Sequence, residues 1–127
     1  MTNDDVQRWL DDYVNAWRSY DAEEIGELFS ADAEYRYQPW SEPLVGRDAI
    51  VADWLDSRDP PGTYEGHYAP FVVDGDRAVA IGESRYTNPD GSFRTLYYNL
   101  WTLRFDAEGR CRSFTEYFME SPAGGRP

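Results

Sequence analysis

The chain has 127 residues, 24 acidic side chains against 12 basic ones, and a formal net charge of −12, a balance that repels phosphate backbones and excludes a general nucleic-acid binder. Its single cysteine, Cys111, allows neither an internal disulfide nor a cysteine-based zinc site. No apolar run approaches the roughly 20 residues of a membrane span, and the N-terminus lacks a signal peptide's basic and apolar regions, so a soluble cytoplasmic protein without a membrane partner is expected.

Val6, Trp9, Leu10, Tyr13, Val14 and Trp17 recur at spacings of three and four, the pattern of one apolar helix face, with Asp4 and Asp5 in the first turn. Asp21 starts a second, shorter helix. Glu24 stands three residues on, as in a capping box, and Ile25, Leu28 and Phe29 form its apolar face. The tyrosine-rich alternation from Ala33 to Gln38 reads as a strand ended by Pro39. Pro43 and Gly46 mark a loop, and a third helix over 47–56 buries Ile50, Trp54 and Leu55.

After Pro60-Pro61-Gly62 the pattern changes to strands over 64–73, 77–86, 93–105 and 110–119. Three turn signals separate them: Asp74-Gly75-Asp76, Asn88-Pro89-Asp90-Gly91 and Asp106-Ala107-Glu108-Gly109. The reading is α+β: three N-terminal helices, then a curved, mainly antiparallel sheet, in one domain over 1–120. The Gly/Pro-rich segment 121–127 reads as a flexible tail. The strand 93–105 is apolar on both sides: Tyr97, Trp101, Leu103 and Phe105 alternate with Leu96, Tyr98 and Leu100. Three helices cover only one sheet face, so the other is expected to meet a second copy of the chain in a homodimer.

This order of elements resembles the cone-shaped fold of the nuclear transport factor two superfamily. The resemblance rests on Tyr13 in helix one, the segment from Asp21 to Phe29, the loop Glu42-Pro43-Leu44-Val45-Gly46, and a final hairpin over 103–118. Within the superfamily the chain is most similar to the SnoaL-like branch. The resemblance implies an apolar cavity between helices and sheet, and members that include isomerases, cyclases, epoxide hydrolases, dehydratases and non-catalytic binders.

Three family chemistries can be compared with the residues present. The steroid isomerase pattern implies a carboxylate base where this chain has Gln38, whose amide cannot take a proton, and a second acidic donor where it has Trp101; only Tyr13 matches. The epoxide hydrolase pattern implies a second acid and an arginine near Arg77-Ala78-Val79. Val79 stands at the acid's place, with Glu83 as a displaced substitute or a partner of Arg85. The cyclase pattern needs one acid/base, and Glu116 matches it. Strand alternation puts Phe114, Glu116 and Phe118 on one face, and a carboxyl between two phenylalanines is desolvated.

Glu116 is therefore the expected acid/base, with Tyr13 and His67, the only histidine, as further catalytic candidates. Trp17, Tyr35, Tyr37, Gln38, Trp40, Trp54, Tyr97, Asn99, Trp101, Phe114 and Phe118 are the expected ligand-binding set. Such aromatic walls suit a planar, apolar ligand of polyketide, terpenoid or steroid type. No metal and no cofactor are expected, because no ligand-spaced cluster, phosphate loop or nucleophile elbow is present. The acidic pairs Asp11-Asp12 and Glu23-Glu24 read as solvated helix faces, and the lysine-free composition as genome base composition or salt adaptation. Two classes remain open: an acid/base enzyme acting on a carbonyl-containing apolar metabolite, and a non-catalytic binder or dimeric accessory protein with a vestigial site.

Overall fold

Helix α1 (Asn3–Ser19) forms on the expected periodicity, burying Val6, Trp9, Leu10, Tyr13 and Ala16. In the computed structural model residues 1–122 are described. A capping box opens the helix: Thr2 Oγ1 accepts the Asp5 amide at 3.1 Å, and Asp5 Oδ2 accepts the Thr2 amide at 2.9 Å. Tyr20, left-handed at φ 51°, closes it.

Helix α2 (Ala22–Glu27) is capped by Asp21, whose Oδ1 accepts the amides of Glu23 and Glu24 at 3.0 Å. Its expected reciprocal bond is absent, because Glu24 instead accepts the Ser19 hydroxyl at 2.6 Å. Phe29, expected on this helix, begins β1 (Phe29–Arg36). The Cys111 amide donates to the Leu28 carbonyl at 2.8 Å, so cross-chain pairing captures the segment where the short helix ends. The loop around Pro43 contains a two-residue strand, β2 (Leu44–Val45), paired with Glu34 and Tyr35. Helix α3 (Arg47–Asp56) follows Gly46 and buries Ile50 and Trp54 completely.

The remaining strands, β3 (Tyr64–Asp74), β4 (Arg77–Thr87), β5 (Phe93–Phe105) and β6 (Cys111–Glu120), form an antiparallel meander. The full sheet runs β2-β1-β6-β5-β4-β3, with β1 and β6 parallel. The structure is thus α+β, with three helices packed against a curved, open sheet. Of the expected tail 121–127, residues 123–127 lie outside the described residues, and the Ser121 amide donates to the Leu96 carbonyl at 2.8 Å.

The core is a continuous stack of rings. Trp9, Tyr13, Phe29, Tyr35, Trp54, Trp101, Phe105 and Phe114 are all buried, and Tyr35 lies parallel to Phe114 with centroids 4.3 Å apart. Strand β4 turns its small side chains inward. Its inward positions Ala78, Ala80 and Ser84 are small and buried, whereas Ile81 on the outer side is exposed. Large rings from α1, β3 and β5 occupy the space that larger β4 side chains would need. On the outer face Ile81, Leu100 and Tyr117 stand side by side across three strands, and all three are exposed.

Candidate functional site

The cavity opens between α1 and the inner sheet face, and the register explains its contents. Trp101 on β5 pairs directly with Glu116 on β6, and Asn99 pairs with Phe118. On the other side Gly82 of β4 stands between Tyr68 and Asn99. A Cβ at Gly82 would collide with the Tyr68 ring and the His67 carbonyl, and one at Gly66 would meet the rings of Tyr64 and Tyr68. Two glycines thus let two tyrosines fold over the sheet and build the far wall.

The cavity has a volume of about 150 Å³, close to the space that holds one benzene ring in an engineered protein cavity. Tyr13 and Trp17 of α1, Tyr35 and Tyr37 from the β1 side, and Tyr64, Tyr68, Tyr86, Tyr97, Trp101 and Phe118 from the sheet surround it. Ser84, Asn99 and Glu116 are the non-aromatic lining residues. The space is well below the roughly 300–1,000 Å³ of drug-sized ligand sites, so a steroid-sized ligand does not fit this shape and a one-ring group does.

Among the described residues Glu116 is held by neutral donors only. Trp101 Nε1 donates to its Oε2 at 2.9 Å, and Asn99 Nδ2 donates to the same oxygen. Among the described residues no arginine pairs with it, and no donor reaches Oε1. Burial raises the Glu116 pKa above the ordinary glutamate value, and the Trp101 and Asn99 hydrogen bonds offset part of that rise.

Behind Asn99 runs a directional chain. Ser84 Oγ donates to Asn99 Oδ1 at 2.8 Å, so the Tyr68 hydroxyl donates to Ser84, and Tyr64 donates to Tyr68 at 2.8 Å. The chain turns the Asn99 amide so that its NH₂ faces Glu116. Across the cavity the hydroxyls of Tyr13 and Tyr35 pair at 3.3 Å. Burial lifts both phenols well above their usual range, and it pushes Tyr68 up to about 12, so all three remain neutral.

Nine of the sequence-predicted residues line the cavity: Glu116, Tyr13, Trp17, Tyr35, Tyr37, Tyr97, Asn99, Trp101 and Phe118. Five do not. His67 points outward from β3 and meets Glu65 at 2.9 Å on the surface, because odd positions of that strand face solvent while Tyr64 and Tyr68 face in. Gln38 accepts the Ser41 hydroxyl at 2.5 Å in a turn. Trp40, at 83% relative exposure, lies in the loop after β1. Trp54 and Phe114 are wholly buried beneath the cavity, Trp54 edge-on to Tyr13 with centroids 5.0 Å apart. Glu83, the suggested second acid, is exposed on β4, and Arg85 lies 5.4 Å from the Phe93 ring centroid rather than pairing with it. Tyr64, Tyr68, Ser84 and Tyr86 are lining residues that sequence reasoning did not select. The alternation Tyr64-Gly66-Tyr68 was the available signal for the first two.

The profile of the SnoaL-like domain matches residues 10–115, and the chain belongs to that family. Among solved structures it is similar to a Mycobacterium tuberculosis LEH-like epoxide hydrolase, with TM-score 0.69 and 14% identity over 92% of this chain and 84% of that one. It is also similar to an NTF2-like protein of unknown function from Burkholderia xenovorans, with TM-score 0.67 and 19% identity over 94% and 89% of the two chains. A third, NTF2-like and of unknown function, from Burkholderia pseudomallei, gives TM-score 0.65 and 20% identity over 94% and 92%. These likenesses establish the NTF2-like fold. Among the described residues no group of side chains is arranged to hold a metal ion, and no helix is long and apolar enough to cross a membrane.

Proposed function

We propose that the cavity is a small-molecule site in which Glu116 transfers a proton, in a reaction of the isomerisation, cyclisation or hydration type on a carbonyl-containing, largely apolar metabolite. One observation carries this reading: a carboxyl in a cavity wall, bound by two neutral N–H groups and, among the described residues, by no cation. Such a group has the raised pKa that suits a general acid/base, and its Oε1 is left to meet a ligand. Trp101 and Asn99 keep Oε2 fixed, so the proton is exchanged at Oε1. Tyr13 would act as a neutral hydrogen-bond donor to a ligand oxygen by giving up its bond to Tyr35. A hydrolase of the type named for the M. tuberculosis relative is less well supported, because among the described residues no second acid and no arginine line this cavity.

The test is a turnover screen across small carbonyl and epoxide compounds with wild type and Glu116→Gln. Turnover by wild type and its loss in the variant, with ligand binding retained, is the expected result. Binding without turnover in wild type would instead favour a non-catalytic carrier, a reading supported by a lining that, among the described residues, holds no second acid or base.

We further propose that the chain forms a homodimer through the outer sheet face, on the strength of the exposed row Ile81–Leu100–Tyr117. Light scattering at micromolar concentration should give twice the chain mass.

A further inference from the structure

Among the described residues the ionisable acid in the cavity wall has no cation beside it. Glu116 stands in that wall, and two more carboxylates sit immediately behind it: Asp59 accepts the Trp17 indole N–H at 2.8 Å, and Asp53 accepts the Tyr37 hydroxyl at 2.5 Å. With the Trp101 indole on Glu116, three rings of the wall donate to three different carboxylates. Donation to an anion pushes electron density onto the donor ring, which deepens the negative potential over its face. The Arg94 guanidinium stands outside the wall. It is half exposed, lies 3.9 Å from Asp59 and 5.0 Å from the Tyr86 ring centroid, and does not line the cavity.

The hydroxyls of the wall are neutral, and several are already engaged: Tyr64, Tyr68 and Ser84 spend their hydrogens along the chain to Asn99, and one of Tyr13 and Tyr35 donates to the other. A ligand entering here meets ring faces, the hydroxyls of Tyr86 and Tyr97, and the open oxygen of Glu116. Ring faces attract a cation within about 6 Å of their centroids, and Glu116 adds a stronger attraction in its ionised form, which a bound cation would itself favour. The chain's net charge of −12 further favours the approach of cations.

We propose that this cavity selects a small organic cation, an alkylammonium group of about the bulk of one ring. A methylated ammonium combines an apolar exterior, which the aromatic walls require, with a diffuse positive charge, which Glu116 and the rings require. The inference rests on the reading of this cavity as a ligand site and gives the charge class of its ligand; it does not depend on turnover.

The test is calorimetric titration of the intact protein with choline and with dimethylbutanol, the neutral isostere in which carbon replaces nitrogen. Choline should bind at least about tenfold more tightly. Glu116→Gln should weaken choline at least about fivefold and leave the alcohol within about twofold, since only the charged ligand uses the carboxylate. Tyr97→Leu, outside the hydrogen-bonded chain, provides a second variant should Glu116→Gln fail to fold, and it should reduce the preference for choline. Equal affinities, a preference for the alcohol, or binding of neither would overturn the proposal. Because the readout is binding, choline selectivity without any turnover would refute proton-transfer catalysis and leave this inference standing. Turnover of neutral carbonyl compounds without choline selectivity would do the reverse.

Discussion

The Trp101 indole donates to Glu116 Oε2 at 2.9 Å across directly paired positions of β5 and β6. The pair combines a buried ring and a carboxyl that burial pushes toward its neutral form. Replacing the indole by phenylalanine removes one of two donors that favour the charged form. Trp101→Phe should therefore raise the Glu116 pKa further, read from the side-chain carboxyl carbon shift during an NMR pH titration. An unchanged or lowered midpoint would show that Asn99 alone sets the ionisation.

The same raised pKa makes stability depend on pH. A glutamate protonated more readily in the folded state contributes stability at low pH, which is lost as pH rises from its unfolded value through its folded one. Glu116→Gln carries no such dependence. The variant should therefore gain stability relative to wild type as pH rises across that window, measured by urea denaturation at a series of pH values. A difference that stays flat with pH would mean that Glu116 is not perturbed.

Much of this arrangement was legible beforehand. The three-and-four spacing of Val6, Trp9, Leu10 and Tyr13 gave α1 its buried face, and the alternation around Glu116 put it with Phe114 and Phe118 on one side. What alternation cannot supply is depth: Phe114 lies fully buried under the cavity while Phe118 is half exposed at its rim. Strand β4 was harder to read, because its inward residues are small and the larger Ile81 faces out among the charged Arg77, Glu83 and Arg85. Ser84 and Tyr86 were missed for that reason. The two-residue β2 and the switch of Phe29 from helix to strand depend on pairing with distant segments, which no local window contains.

Ser84 sits at the centre of the chain that aims the Asn99 amide. Ser84→Ala leaves the Tyr68 hydroxyl and Asn99 Oδ1 buried without their partner, at a cost of about 1–3 kcal/mol. Chemical denaturation measures that loss. Asn99 is then free to turn its NH₂ away from Glu116, so the carboxyl pKa should also climb in the NMR titration. A stability loss without that climb would reduce Ser84 to a packing role.

Gly82 makes a different kind of contribution. A methyl there would strike the His67 carbonyl and the Tyr68 ring, and the carbonyl belongs to the paired β3 backbone, which yields less readily than a side chain. Gly82→Ala should therefore cost about 1–3 kcal/mol through overpacking and shift Tyr68 out of the cavity wall. Urea denaturation gives the first quantity, and the Tyr68 ring chemical shifts report the second. An unaltered denaturation midpoint would contradict the close approach.

The outer face can be tested without touching the cavity. Ile81, Leu100 and Tyr117 lie in one row across β4, β5 and β6, and Tyr98 and Met119 form an adjacent exposed pair. A two-fold axis through this face would set the row against its own copy and cover it. Leu100→Arg at the row's centre introduces a charge that each subunit would present to the other. Wild type should scatter light as a dimer and the variant as the 14.7 kDa monomer, with its circular dichroism unchanged because the site is at the surface. A wild type already monomeric at micromolar concentration would remove the dimer and leave the row as bare exposed surface.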